Sequence, residues 1–421
     1  MTARRSWEFF VSPSAFGSRN RTAVSARGTR VRFADGSQLL CATSGLWNVN
    51  LGYGHHRIAD AVARALREAS YLTLFRYGHE PAERAAAALV GLAGADHYGR
   101  VLFSTSGSAA IDAVMKLARH YWLIVGEPQR RLVVGLRGSY HGLTYGSFAL
   151  TGEDLGQLGY GVDQRQIRHV AHDDISELRT LLGREGPRVA AVVVEPVLGS
   201  GAHALAREFV DELAKLRLEH GFLLVADEVA TGFGRLGDFF VSQHWSVRPD
   251  VLVVSKGLTN GTCAASALII SAAVCAAFDE TDSVFVHGET QAGSPPTCAA
   301  ILATIDAMRD EDILQRARVL GGWLETALRE LADDHPMVSG LSGLGCFRAL
   351  HLRNGDGSTL AAAEVARVVD AVRDAGAIVH PGPSCIQLVP PLIYSSAEVE
   401  ELMSCLRRGL AGFTGCRQDR R

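Results

Sequence analysis

Lysine is nearly missing from this chain. Of 42 lysines and arginines only three are lysines, Lys116, Lys215 and Lys256, so any chemistry that needs a lysine amine has three candidates. The eight cysteines (Cys41, Cys263, Cys275, Cys298, Cys346, Cys385, Cys405 and Cys416) are scattered and form no CxxC. In a chain of 421 residues that excludes a disulfide framework and reads as reduced thiols. No apolar run approaches the roughly 20 residues of a membrane span. A net charge of −3 leaves no basic excess for nucleic acid or an anionic membrane. His55-His56 and His172-Asp173-Asp174 lack convergent ligand spacing, so no metal is expected. Residues Met1–Phe10 are too short and interrupted for a secretory segment. Arg4 and Arg5 fit a transit peptide poorly beside Trp7 and Glu8, and the expected location is the cytoplasm.

What is present is an ordinary folded composition, 47% hydrophobic and 21% charged. Short Val- and Leu-rich runs at Arg100–Ser104, Arg131–Leu136, Val189–Val194, Phe222–Ala226, Val251–Ser255 and Ala267–Ser271 read as strands buried on both faces. Helical patterns lie between them, among them Ala109–Trp122 and Glu208–His220, the latter stopped by Gly221. The alternation predicts an α/β fold, a mostly parallel sheet covered by helices. The ends read differently. Residues 27–40 look like a hairpin turning at Asp35-Gly36, and after residue 310 helices alternate with strand candidates Leu344–Leu352, Ala377–His380 and Ile386–Leu388. The expected division is an N-terminal segment of a small domain (1–55), a large domain (56–310) and a C-terminal small domain (311–421).

Ligands of open α/β sheets bind beyond the carboxyl ends of the strands. Three ionisable positions fall there: Glu195 after AAVVV, Asp227-Glu228 after FLLVA, and Lys256 after DVLVVS. Such charges also mark where a chain leaves the core, but three together, with one of only three lysines, point to chemistry. A partly desolvated lysine is a nucleophile toward carbonyls. A nearby carboxylate can keep a pyridinium nitrogen protonated, which is what a protein supplies to pyridoxal phosphate. Ser106-Gly107-Ser108, between a strand and a helix, reads either as a helix cap or as a phosphate cradle. Tyr140 and His141, after the strand RLVVGL, offer rings that stack on a planar cofactor or pack a loop.

Taken in order, SGSAAIDAVMKLAR (106–119), SYHG (139–142), VEP (194–196), DEVATGFGRLG (227–237), SKGLTNG (255–261) and HGETQAGSP (287–295) resemble the class III pyridoxal-phosphate aminotransferases. The resemblance extends over about residues 28–410 and implies fold type I, with a small α+β domain built from both termini and a homodimer with shared sites. It implies that Lys256 is the Schiff-base lysine and that Asp227 pairs with the ring nitrogen. Ser106, Gly107 and Ser108 would surround the phosphate. Tyr140 and Val229 would cover the two ring faces, His141 and Glu195 would support the site, and Thr290 would reach the partner subunit's phosphate. SGLWNVNLGYG (44–54) resembles the ω-aminotransferase branch, in which a tryptophan at the position of Trp47 lines the substrate pocket.

The departures concern the substrate. Ser200 stands where GABA- and ornithine-type enzymes carry a gating glutamate, and Gln387 where they carry the matching arginine. Losing both together is coherent, because either charge alone would be buried unpaired. In β-alanine:pyruvate-type enzymes the arginine lies seven residues earlier, where this chain has His380. Arg76 and Arg137 are possible substitutes. Ala109 and Ala230 replace further residues frequent in the family. The expectation is an aminotransferase of ω-transaminase type, moving an amino group from an amine or amino acid to a ketone or aldehyde, with weakened α-carboxylate recognition. The rivals are a biosynthetic enzyme acting on a carbonyl at the end of a daptide-type ribosomal peptide, a same-fold aminomutase, racemase or decarboxylase, and a cofactor-binding regulator. A nicotinamide-dependent oxidoreductase is a distant reading of GFGRLG (232–237), whose glycines come too late after the strand.

Overall fold

The computed structural model describes residues 5–418, with side chains to Phe413. Arg4 and the side chain of Cys416 lie outside the described residues. Among the described residues fifteen strands follow in chain order: β1 Ala23–Arg27, β2 Arg30–Phe33, β3 Gln38–Cys41, β4 Tyr98–Ser104, β5 Leu132–Leu136, β6 Ile167–Val170, β7 Val189–Val194, β8 Leu223–Asp227, β9 Val251–Val254, β10 Ser266–Ser271, β11 Val338–Leu344, β12 Phe347–Leu352, β13 Ala377–Ile378, β14 His380–Gly382 and β15 Cys385–Leu388.

Seven strands form the central sheet in the order β4-β10-β9-β8-β7-β5-β6. From β9 to β6 the neighbours are parallel, and β10 runs antiparallel to both β9 and β4. Every residue of β5, β7, β8, β9 and β10 is buried, which is why their sequences show no polar alternation. Successive side chains still point to opposite faces. Val133, Ala191, Val193 and Val225 pack with Ile111, Val114 and Trp122 of the helix Gly107–Ile124. Leu132, Val134, Val192 and Leu224 pack with Phe209, Leu213 and Leu216 of the helix Arg207–His220. Gly221 ends that helix at φ +73°, as its C-cap signal predicts.

The two termini share one sheet. The hairpin through Asp35-Gly36 is present, extended by β1, and β13 pairs parallel to β3 in the order β1-β2-β3-β13. A third sheet, β11-β12-β15-β14, is antiparallel. The expected strand Leu344–Leu352 is a correction: it bridges β11 and β12 and contains their turn. Gly345 sits there at φ +53°, and a Cβ on it would stand 2.9 Å from the Arg235 carbonyl oxygen. Ala377–His380 likewise splits between β13 and β14. β6 was missed because IRHV is short and mixed in character. No helix among the described residues is long and apolar enough to cross a membrane.

Candidate active site

Asp227 closes β8 and is 4% exposed. Its Oδ2 is 2.7 Å from His141 Nδ1, and its Oδ1 accepts the Val229 amide at 3.1 Å. An ionised carboxylate only accepts, so His141 carries its proton on Nδ1. Burial disfavours the imidazolium, yet the hydrogen bond and charge of Asp227 outweigh it and raise the pKa of His141. The other ring nitrogen, Nε2, is buried without a partner.

Lys256 directly follows β9 and Ser255, with φ +46°, a backbone state that costs a non-glycine residue about 1 kcal/mol or more. Its side chain is half-buried. Burial lowers its pKa, against the opposing pull of Asp227 and Glu195, and Arg235 adds to the lowering. Such an amine is easier to deprotonate into a nucleophile. Glu195 lies just beyond β7 and accepts two backbone amides, Tyr140 at 2.9 Å and Gly199 at 2.9 Å. Burial nevertheless pushes its carboxyl up to about 7. Burial, then the charges of Glu153 and Glu195, raises the phenol of Tyr140.

Ser106, Gly107 and Ser108 meet at the start of the helix Gly107–Ile124. Ser106 is its N-cap, accepting the Ala109 amide at 3.2 Å, so in the isolated chain it is the cap that the sequence also allowed. The first amides of a helix have no intrahelical acceptor and suit an anion. The loop after Tyr140 lies across this turn: Leu143 donates to Ser108 Oγ at 3.2 Å, and a Cβ on Gly142 would fall 2.2 Å from that oxygen. Val229 stands 3.2 Å from where a Cβ of Gly107 would be. A buried orphan nitrogen, a half-buried lysine and this glycine-lined cradle fit a phosphorylated pyridine aldehyde. Thr290 lies apart, exposed, on the loop whose Glu289 binds the hydroxyls of Ser104 and Thr105 and the Thr105 amide.

The other wall is built around Trp47, which is buried, takes φ +65° and leaves Nε1 unpaired. The Lys256 Nζ lies 4.8 Å from the centre of its ring, Phe347 5.0 Å and His380 5.5 Å. His380 and Gln387 are cross-strand partners in β14 and β15. Gln387 donates to the Gly199 carbonyl at 2.6 Å, and burial and the charge of Lys256 lower the pKa of His380. Arg137 is held by Glu177 and the His169 carbonyl, outside this wall, and Arg76 is exposed on the loop before residue 79.

Three residues of the site escaped the sequence reading. Arg235 is fully buried, and among the described residues no carboxylate pairs with it. It donates to Pro390 O at 2.5 Å, Cys346 O at 3.3 Å, Asn50 Oδ1 at 2.6 Å and Ser44 Oγ at 3.0 Å. Burial brings its pKa down to about 10, and the guanidinium joins residues from three parts of the chain. It lies inside GFGRLG, whose Gly234 is packed by Leu392, Met308 and Leu314, so this run faces the core and not a dinucleotide. Glu289 stood unremarked within HGETQAGSP. Glu153, which accepts from Ser200 Oγ at 3.0 Å, gave no signal at all.

Residues 14–410 match the family model described as aminotransferase class-III. An omega-aminotransferase of Caulobacter vibrioides is 30% identical over 433 residues, covering 96% of each chain. An acetylornithine aminotransferase of Mycolicibacterium smegmatis is 32% identical over 411 residues, covering 96% of this chain and 97% of that one. An amine transaminase from an uncultivated Pseudomonas species, solved in its PLP-bound form, is 28% identical with a TM-score of 0.92, covering 97% of this chain and 99% of that one.

Proposed function

The chain belongs to the class III aminotransferases, enzymes dependent on pyridoxal phosphate, and from that premise we propose that it carries an amino group from an amine to a ketone or aldehyde without relying on a carboxylate beside the reacting carbon. The observation that carries this reading is the state of the arginines. Gln387 and His380 occupy the two positions where the resemblance places a carboxylate-binding guanidinium. Arg137 is engaged by Glu177, Arg348 by Glu325, and Arg235 by carbonyl and side-chain oxygens. A neutral imidazole cannot replace the bidentate fork of an arginine.

Pyridoxal phosphate supplies an electron sink for the carbon that loses its proton. The rest is the work of the chain. Lys256 would hold the cofactor through its amine and would move the proton at the reacting carbon as general base and acid. Asp227, oriented by His141, would keep the ring nitrogen protonated. Tyr140 and Val229 would enclose the ring. Ser106, Gly107 and Ser108 would bind the phosphate, and Trp47 would close the substrate side over Lys256.

A homodimer with shared sites is part of this reading. It is supported by Thr290, exposed beside the Glu289 contacts, and by Phe75, Tyr77, Val284 and Val286, which are exposed on and around that loop. The same reading keeps the small domain as residues 1–55 with 311–421 around a large domain of 56–310, supported by the sheet that the two termini share. The cytoplasm is supported by seven free cysteines among the described residues. The test is a visible absorbance titration of the yellow, cofactor-loaded enzyme with 1-phenylethylamine, L-alanine and L-glutamate. The expected result is bleaching by the simple amine at lower concentration than by either amino acid. Bleaching by the amino acids alone would overturn it.

A further inference from the structure

Three histidines from distant parts of the chain stack outside the cofactor site. His172 follows β6, His203 lies on the loop after β7, and His351 is in β12. The ring centres of His172 and His203 are 5.3 Å apart, and those of His203 and His351 5.4 Å, with planes inclined by 34° and 28°. The stack borders a cavity of about 600 Å³, lined in part by His172, Asp173, His203, Glu208 and Ser342. His351 Nε2 is 2.8 Å from Ser342 Oγ, and that hydroxyl donates to the Gly201 carbonyl at 2.8 Å. A hydroxyl has one hydrogen, so His351 is the donor to Ser342.

His203 belongs to the loop that packs on Trp47. Residues 195–205 fold back on themselves: Leu198 donates to the His203 carbonyl at 2.9 Å, Leu205 donates to the Pro196 carbonyl at 3.0 Å, and Val197 bridges to Ala204. At the tip, Gly199 donates to Glu195 at 2.9 Å and accepts from Gln387 at 2.6 Å, and a Cβ on it would lie 3.3 Å from the Trp47 indole. A Cβ on Gly201 would stand 2.8 Å from His203 Nε2, so the imidazole folds against its own loop. The tip is therefore tied to the third sheet from two sides. Gln387 of β15 holds one, and Ser342 of β11 with the imidazole stack holds the other.

Neutral imidazoles stack, but two charged rings at this spacing repel. Burial lowers the pKa of His203, the charges of His351 and His172 add to the lowering, and Asp173 opposes it. Burial lowers that of His351 too. Both hold a proton less well in the stack than at their ordinary value of 6.5, so the stack is favoured above that pH and weakens progressively as pH falls below it. The remaining charges nearby are Glu208 on the cavity wall and Glu195 at the far end of the loop. We propose that His203, clamped between His172 and His351, is a positioning residue that docks the loop 195–205 on the third sheet and so fixes the wall at Trp47, and that charging the stack undocks it. The inference concerns the loop and does not depend on which donor the enzyme uses.

The experiment follows amide hydrogen exchange of cofactor-loaded wild type, His203→Phe and His203→Gln from about pH 8 to about pH 5.5, corrected for the intrinsic exchange rate. His203→Phe keeps a ring that stacks, His203→Gln does not, and neither titrates. Glu195, His172 and His351 remain in all three proteins, so the quantity read is the ratio of wild-type to variant protection in peptides spanning 195–205. That ratio is expected to fall about tenfold on acidification, the equivalent of one pK unit, against either variant. Peptides spanning 44–50, which carry Trp47, should move in the same direction by a smaller factor. If His203→Phe fails to take up cofactor, His203→Gln gives the same ratio. A merely structural role would lower protection in the variants by a factor that does not change with pH, and that result overturns the proposal. Equal protection in all three proteins at every pH overturns it as well. A pH-dependent ratio with no response at 44–50 overturns the link to Trp47.

Discussion

Around Lys256 the ionisable groups answer one another, while around Gln387, a wall away, they do not. On the cofactor side His141 meets Asp227, Glu195 meets two amides, and the lysine is poised between burial and the two acids that resist it. On the side of Trp47 a glutamine binds a carbonyl, a histidine packs edge-on against the tryptophan, and Glu153 has no cationic partner among the described residues. The first wall is a closed electrostatic network, in which removing one member leaves another buried and uncompensated. The second is assembled from aromatic packing and from hydrogen bonds given by the neutral donors Gln387 and Ser200. Separating the two allows a family to keep one chemistry over many substrates.

The comparison can be broken most sharply at its first wall. Lys256→Ala should abolish the yellow absorbance and lower turnover by about 10³-fold or more. With only three lysines the assignment is easily checked, since borohydride reduction of the loaded protein followed by peptide mass analysis should mark Lys256 and spare Lys116 and Lys215. Asp227→Asn should cost about 10²–10³-fold in kcat, with a shifted absorbance maximum, because the ring nitrogen loses its anionic partner. Substrate-wall changes such as Trp47→Ala should redistribute donors more than they slow the best one.

Arg235 links the two walls, and Arg235→Leu should destabilise the fold by about 3 kcal/mol or more, read as a lower denaturant midpoint. It would strand the buried acceptors on Asn50, Pro390 and Cys346. A smaller effect belongs to Glu195. Its folded-state pKa is raised to about 7, so between about pH 4.5 and 7 the native state binds more protons than the unfolded one. Its contribution is therefore favourable at low pH and is lost as pH rises through 7. In the cofactor-free protein, the stability of wild type minus that of Glu195→Gln should fall by about 2 kcal/mol from pH 5 to 7. Smallest is a coupling on the second wall. Gln387→Arg alone buries a lone guanidinium, and adding Ser200→Glu should recover about 1 kcal/mol in a double-mutant cycle. Additive effects would mean that the two positions do not face each other.

Much of the first wall was legible because its signals are local. A strand buried on both faces announces its own end, and Asp227 and Lys256 each follow such a run directly. The scarcity of lysine did the rest. The cap at Ser106 and the stop at Gly221 were equally local. Where the reading slipped, the pattern was ambiguous at short range. Leu344–Leu352 is apolar throughout, and nothing in its periodicity reveals that Gly345 turns the chain against the Arg235 carbonyl. GFGRLG displayed its glycines and hid its arginine, because a fully buried guanidinium satisfied by carbonyls is exceptional.

The sequence by itself determined the α/β alternation, the buried sheet and the placement of Asp227 and Lys256 at the ends of its strands, since these depend on periodicity and strand ends that a few neighbouring residues carry. Only the tertiary structure decided what the second wall is made of. Trp47 and Lys256 come together across more than 200 positions, and Ser200 finds Glu153 over 47. Arg137, which the sequence left as a candidate, was claimed by Glu177. Hydrogen bonds and ion pairs depend on separations of about 3 Å between side chains, and chain order does not set those distances until the strands have packed.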